Sequence, residues 1–163
     1  MEYVYVGKIV QTHGIKGELR IRSDFDKKTI VFRPGFPLYI GEEKEKEEIV
    51  TYRHHKDFEM VTFKGYDNIN QVLQYLKQNV YAKRADLKLD SDDYVLQDLV
   101  GLKVVEDVEV LGKVGEIVYN GSNVLLQIEG EKKFYIPIHG NFIKHVDLEK
   151  GIVEVENARG LIL

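Results

Sequence analysis

Apolar residues in this chain arrive in short runs rich in β-branched and aromatic types, punctuated by turn residues. That pattern restricts the chain to small sheets. Tyr3 to Val10 is the first such run, with Gly7 inside it marking a strand with a bulge. Glu18-Leu19-Arg20-Ile21-Arg22 alternates, which predicts a half-buried strand with Leu19 and Ile21 inward. Arg33-Pro34-Gly35 predicts a turn before a strand from Pro37 to Ile40. Glu42 to Glu48 reads as a solvated hairpin tip. Ile49 to His54 and Glu59 to Phe63 follow as strands, and Val80-Tyr81-Ala82 as a closing strand. Only one helix stands out, with Asp67 as N-cap and Ile69, Val72, Leu73 and Leu76 at helical spacing.

The 163 residues allow one medium domain or two small ones. Lys88-Leu89-Asp90-Ser91-Asp92-Asp93 is the best linker. Past it come runs at Gly101 to Val105, Gly112 to Tyr119, Val124 to Ile128, Phe134 to Pro137 and Ile152 to Val155, with a turn at Asn120-Gly121-Ser122-Asn123. Pro137 cannot donate to a ladder and belongs at an edge or strand end. The apolar tail Gly160-Leu161-Ile162-Leu163 is expected to dock on a core. The expected fold is all-β with one or two short helices: two small β-barrels, residues 1–88 and 93–163, joined by a short linker.

Charge divides the chain at the same place. Residues 1–90 carry 16 Lys/Arg and 14 Asp/Glu, whereas residues 91–163 carry 7 and 13, within a net charge of -4. An acidic half suits a basic protein better than a bare phosphate backbone, although solubility alone also accounts for it.

No enzyme motif is present. The chain has no cysteine, which excludes disulfides, thiolate chemistry and Cys-type zinc sites. His54 and His55 are adjacent on a predicted strand, so they point to opposite faces. Ser23, Ser91 and Ser122 lie in no nucleophile elbow, and there is no phosphate-binding P-loop. A catalytic role for His13 lacks an identifiable partner. The expectation is a protein with no catalysis, cofactor or metal. The start has no basic region followed by an apolar block, and no run approaches the ~20 apolar residues of a membrane span. A cytoplasmic monomer is expected.

Two segments are candidates for contact. The Thr12-to-Glu18 loop has Gly14 and Gly17, with His13, Lys16, Arg20 and Arg22 making a basic patch beside it. It reads either as an anion-binding nest or as a tight connection whose glycines serve geometry only. Tyr94-Val95-Leu96-Gln97-Asp98-Leu99-Val100-Gly101 opens the second half. Leu96, Leu99 and Val100 read as core, and Tyr94 as either core or a protein contact.

These residues resemble a known family. Gly7-Lys8-Ile9-Val10-Gln11-Thr12-His13-Gly14-Ile15-Lys16-Gly17-Glu18-Leu19 is similar to the N-terminal signature of the RimM ribosome maturation factors. Asp98-Leu99-Val100-Gly101, Gly112-Lys113-Val114, Ile136-Pro137, Val146-Asp147-Leu148 and Gly160-Leu161-Ile162 resemble that family's C-terminal PRC-barrel, in the same order. The resemblance implies an N-terminal six-stranded barrel and a PRC-barrel. It implies late assembly of the 30S subunit head, effects on 16S rRNA processing, and binding to small-subunit ribosomal protein number nineteen. Binding would fall on Tyr94, Val95, Leu96 and Asp98, and His13, Lys16, Arg20 and Arg22 would face the rRNA or subunit. Family members often carry two adjacent tyrosines at the start of the PRC-barrel; here the pair is Tyr94 and Val95. Gln78-Asn79 stands where the family usually has a glycine after the helix; asparagine can also adopt the left-handed cap, so the departure is structurally tolerable.

Overall fold

The structure is a computed structural model that describes residues 2–120 and 123–162. The chain divides into two compact units, Met1–Asp90 and Ser91–Leu163.

In the first unit, six strands close into a barrel. They are β1 (Tyr3–His13), β2 (Glu18–Arg22), β3 (Pro37–Ile40), β4 (Glu45–His55), β5 (Phe58–Phe63) and β6 (Asn79–Lys83), ordered β1-β2-β5-β4-β3-β6. Closure leaves no unpaired edge. Alternation does the sorting: Val4, Val6, Leu19, Ile21, Leu38, Ile40, Val80 and Ala82 are buried inward. β1 pairs with both β2 and β6, and its register shifts between Tyr5 and Gly7 on one side and between Ile9 and Gln11 on the other. The bulge expected at Gly7 is therefore present. A Cβ there would stand 2.4 Å from the Arg22 carbonyl oxygen, so the close approach of β2 requires glycine.

Three expectations need correction. The charge run is a hairpin tip only at residues 41–44; Glu45 to Glu48 belong to β4 and pair with β3. The helix shrinks to α2 (Ile69–Val72), preceded in the chain by the one-turn α1 (Lys28–Val31) and followed by a 3-10 turn at Leu73–Tyr75. Leu73, expected inward, is 46% exposed, and Tyr75 is buried instead. The left-handed residue after it is Lys77, while Asn79 begins β6.

A short helix α3 (Arg84–Leu87) leads to the second unit. That unit holds a 3-10 turn at Leu96–Leu99 and β7 (Lys103–Glu106), β8 (Glu109–Asn120), β9 (Asn123–Glu129), β10 (Phe134–Pro137), β11 (Ile143–Asp147) and β12 (Ile152–Val155). Their order is β10-β9-β8-β7-β12-β11, and β12 runs parallel to β7. Pro137 ends the terminal strand β10, as a residue without an N–H should. The core is Leu96, Leu99, Val104, Val114, Leu126, Ile128, Phe134, Ile136, Val153, Val155 and Ala158, and Leu161 and Ile162 of the tail pack against it. Val100, expected in the core, is 46% exposed. The expected turn at Gly121-Ser122 and the last residue, Leu163, lie outside the described residues. The fold class is all-β with short helices, in two sheet-built domains.

Candidate functional site

Strand register assembles a cationic face on the outside of the first barrel. Leu19 and Ile21 point inward, so Glu18, Arg20 and Arg22 point out. β1 sets Lys8 opposite Arg22, Gln11 opposite Arg20 and His13 opposite Glu18. β5 sets Met60 opposite Arg20; β4 then sets Arg53 opposite Met60 and His55 opposite Phe58.

Arg20 is held from two sides. Its Nη1 donates to Gln11 Oε1 at 2.7 Å and its Nη2 to His13 Nδ1 at 2.7 Å. A guanidinium only donates, so His13 Nδ1 is the acceptor. The Arg20 and Arg22 guanidinium carbons stand 5.6 and 5.5 Å from the centre of the Phe58 ring, within cation–π range. Arg53 reaches over β5 to Glu18 as a two-point pair, 2.9 Å from Nε and 2.8 Å from Nη2. That bond holds the Glu18 carboxyl below its usual range. The His13 and His55 rings lie 6.3 Å apart. His55 is pushed down, first by burial and then by Arg53, Lys56, His13 and Arg20.

Of the residues singled out in the sequence, His13, Arg20 and Arg22 are thus brought together. Lys16 is exposed in the turn between β1 and β2. Gly14 and Gly17 of that turn have φ of +68° and +92°. The turn is tied down by the Ile69 N–H donating to the Ile15 carbonyl at 2.8 Å. Its glycines therefore have a geometric reason to be there. Gln11, Arg53, His55 and Phe58 were not singled out. Alternation across the Lys56-Asp57 hairpin was the signal that places Arg53, His55 and Phe58 on one face.

His54 takes the opposite face, as adjacency requires. Its Nδ1 lies 3.0 Å from Glu59 Oε2, and Tyr52 donates to Glu59 Oε1 at 2.6 Å. Glu59 is 2% exposed. Burial and that bond push the Tyr52 hydroxyl up to about 12. Lys28 stands 3.8 Å from the same carboxylate, which makes this a satisfied internal network.

The second unit carries a groove of the opposite character. Tyr94 is half-buried, packs against the core and lines a shallow groove with Asp92, His145, Asp147, Leu148 and Glu149. Leu148 is 40% exposed at its rim. Val95 and Leu96, implied as contacts, are 0% and 8% exposed, so neither offers a side chain to a partner. The Asp98 carboxylate accepts from the Val95 N–H at 3.0 Å and caps the 3-10 turn behind Tyr94.

Among the described residues, no three His, Cys, Asp or Glu side chains are grouped to hold a metal ion. No helix among them is long and apolar enough to cross a membrane.

Known proteins match along the whole chain. The RimM N-terminal domain family matches residues 4–87, and the RimM PRC barrel domain family matches residues 96–161. The ribosome maturation factor RimM of Staphylococcus haemolyticus is 35% identical over 164 residues, covering 98% of each chain. That of an Exiguobacterium species is 36% identical over 169 residues, covering 99% of this chain and 98% of its own. The crystal structure of a RimM protein from Pseudomonas aeruginosa, 24% identical, covers 94% of this chain and 96% of its own with a TM-score of 0.48. On the two family matches and the near full-length relatives, the chain belongs to the RimM family of ribosome maturation factors.

Proposed function

We propose that this protein assists late assembly of the 30S subunit head and 16S rRNA processing as a non-catalytic, monomeric, cytoplasmic adaptor. Its C-terminal unit, residues 93–163, binds small-subunit ribosomal protein number nineteen. Its N-terminal unit, residues 1–88, meets 16S rRNA on the side of His13, Lys16, Arg20 and Arg22. Holding both components on one chain raises their effective concentration for each other.

The observation that carries this reading is the Tyr94 groove. A tyrosine seated on a core, half-open, and ringed by Asp92, Asp147 and Glu149 suits a basic protein segment. The aromatic ring supplies buried area at low entropy cost, and the carboxylates steer a cationic partner. Val95 and Leu96 shape the groove's support, and Asp98 holds its turn.

Calorimetric titration of the full-length protein with ribosomal protein nineteen tests it. Tyr94→Ala weakens binding by about tenfold or more. Glu149→Lys, at an exposed position, also weakens it and flattens its salt dependence. Binding that ignores both substitutions and is insensitive to salt sinks the proposal.

A further inference from the structure

The outer face of the first barrel concentrates positive charge beyond what the fold needs. Lys8, Arg20, Arg22 and Arg53 share it; of the two carboxylates in the described register, Glu18 is engaged by Arg53 and Glu59 turns to the opposite face with His54. Lys56 and Asp57 at the hairpin tip cancel each other. Neither Arg20 nor Arg22 has a carboxylate partner among the described residues, although residues 1–90 carry 14 Asp/Glu. Like charges gathered on one small face repel one another. Burial first, and then these neighbouring cations, lower the proton affinity of His55.

This face is also preorganised. Gln11 and His13 hold both Nη atoms of Arg20, and the Phe58 ring holds Arg20 and Arg22. Fixing a guanidinium before binding removes much of the side-chain entropy lost on contact. Lys8 and Arg22 stay exposed beside that frame, on paired positions of β1 and β2.

We propose that the outer face of β1, β2, β5 and β4 binds the phosphate backbone of double-stranded RNA. Lys8 and Arg22 contact phosphates directly, and Arg20 is a fixed charge beneath them. This rests on the reading that the N-terminal unit meets rRNA, and names the surface and the form of RNA. Phosphates are the target because Phe58, the ring among these arginines, is already covered by two guanidinium groups. Single-strand readers instead present open rings on which bases stack. Duplex RNA is recognised largely through its backbone and shape. An acidic protein is the competing occupant, but the polyanion that a ribosome maturation factor meets is RNA.

The test uses the full-length protein and a fluorescent mixed-sequence RNA hairpin duplex, read by anisotropy across a salt series. Arg22→Glu and Lys8→Glu each weaken duplex binding on the order of tenfold and lower the log–log salt slope by about one. Lys103→Glu, on the other unit, leaves it unchanged. Both sites are exposed, and unchanged thermal melts exclude misfolding as the cause. Duplex binding unaffected by Arg22→Glu and Lys8→Glu overturns the assignment of the surface. Tighter binding to a single strand that remains Arg22-sensitive overturns the duplex assignment and leaves the rRNA reading standing. Displacement of the duplex by polyglutamate at equal charge points to an acidic protein and overturns the proposal. No binding to either RNA form overturns both the proposal and the rRNA reading, whatever ribosomal protein nineteen does at Tyr94.

Discussion

At the scale of single residues, the adjacent pair His54 and His55 shows how far period-two reasoning reaches. Adjacency alone assigns them to opposite faces, and they lead different lives. His54 bonds the buried Glu59 carboxylate, whereas His55 stands among Arg53, Lys56, His13 and Arg20, with Glu18 the nearby opposing charge. Burial first, and then these cations, disfavour the charged form of His55 in the folded state. Its proton affinity is lowered on folding, so the unfolded chain binds more protons just below pH ~6.5. Stability then rises with pH between the lowered folded value and ~6.5, and is lost as pH falls through that window. His55→Gln is expected to reduce the drop in melting temperature between pH 7.5 and 5.5 at low salt. The other histidines are common to both proteins, so coincident pH profiles would clear His55 of the effect. What the sequence did not disclose here was His55's company. Phe58 is three residues away along the chain, but Arg20 and His13 arrive through strand register, which local pattern does not encode.

At the scale of elements, most strands were legible, but β11 and the extent of the helix were not. The inward residues of β2, β6 and β12 follow alternation, whereas β3 and β5 bury three residues in a row; Gly7 and Pro137 sit at a bulge and a strand end, where backbone chemistry sends them. The helix was overread because four apolar residues at helical spacing imitate a longer amphipathic face. Only one turn forms before a 3-10 turn brings Tyr75 inward and leaves Leu73 out. Tyr75 is retained by its hydroxyl, which donates to Glu47 and Glu45 of β4. Those carboxylates looked like solvated charge in the sequence because their partners lie 28 and 30 residues away. The cap also moved by one position. Asn68, not Asp67, accepts from the Asn70 N–H at 3.0 Å, and Gln71 Oε1 accepts from the N–H groups of both Asp67 and Asn68. This reciprocal arrangement is a capping box. Asn68→Ala should lower stability by about 1 kcal/mol, while Asn68→Asp should keep most of it. Urea midpoints measure both, and equal losses for the two would mean the side-chain oxygen is not what caps the turn.

At the scale of the whole molecule, the charge division and the fold division fall together near residue 90. Each unit has its own buried carboxylate network and its own sheet. In the second unit that network also ties down the chain end. Glu106 of β7, 6% exposed, accepts from the Ala158 N–H at 2.6 Å and from Arg159 Nη1 at 2.6 Å. Ala158 is itself in the core, and the Leu161–Ile162 segment packs beside it. No motif in the sequence pairs Glu106 with a residue 52 positions away. Removing the carboxylate strands a buried backbone donor, which costs about 1–3 kcal/mol. If the two units are separate folding bodies, that loss stays on one side of the linker. Glu106→Ala should accelerate amide hydrogen exchange in peptides from residues 93–162 and leave those from residues 2–88 at the wild-type rate. An equal acceleration in both halves would make the chain one cooperative body.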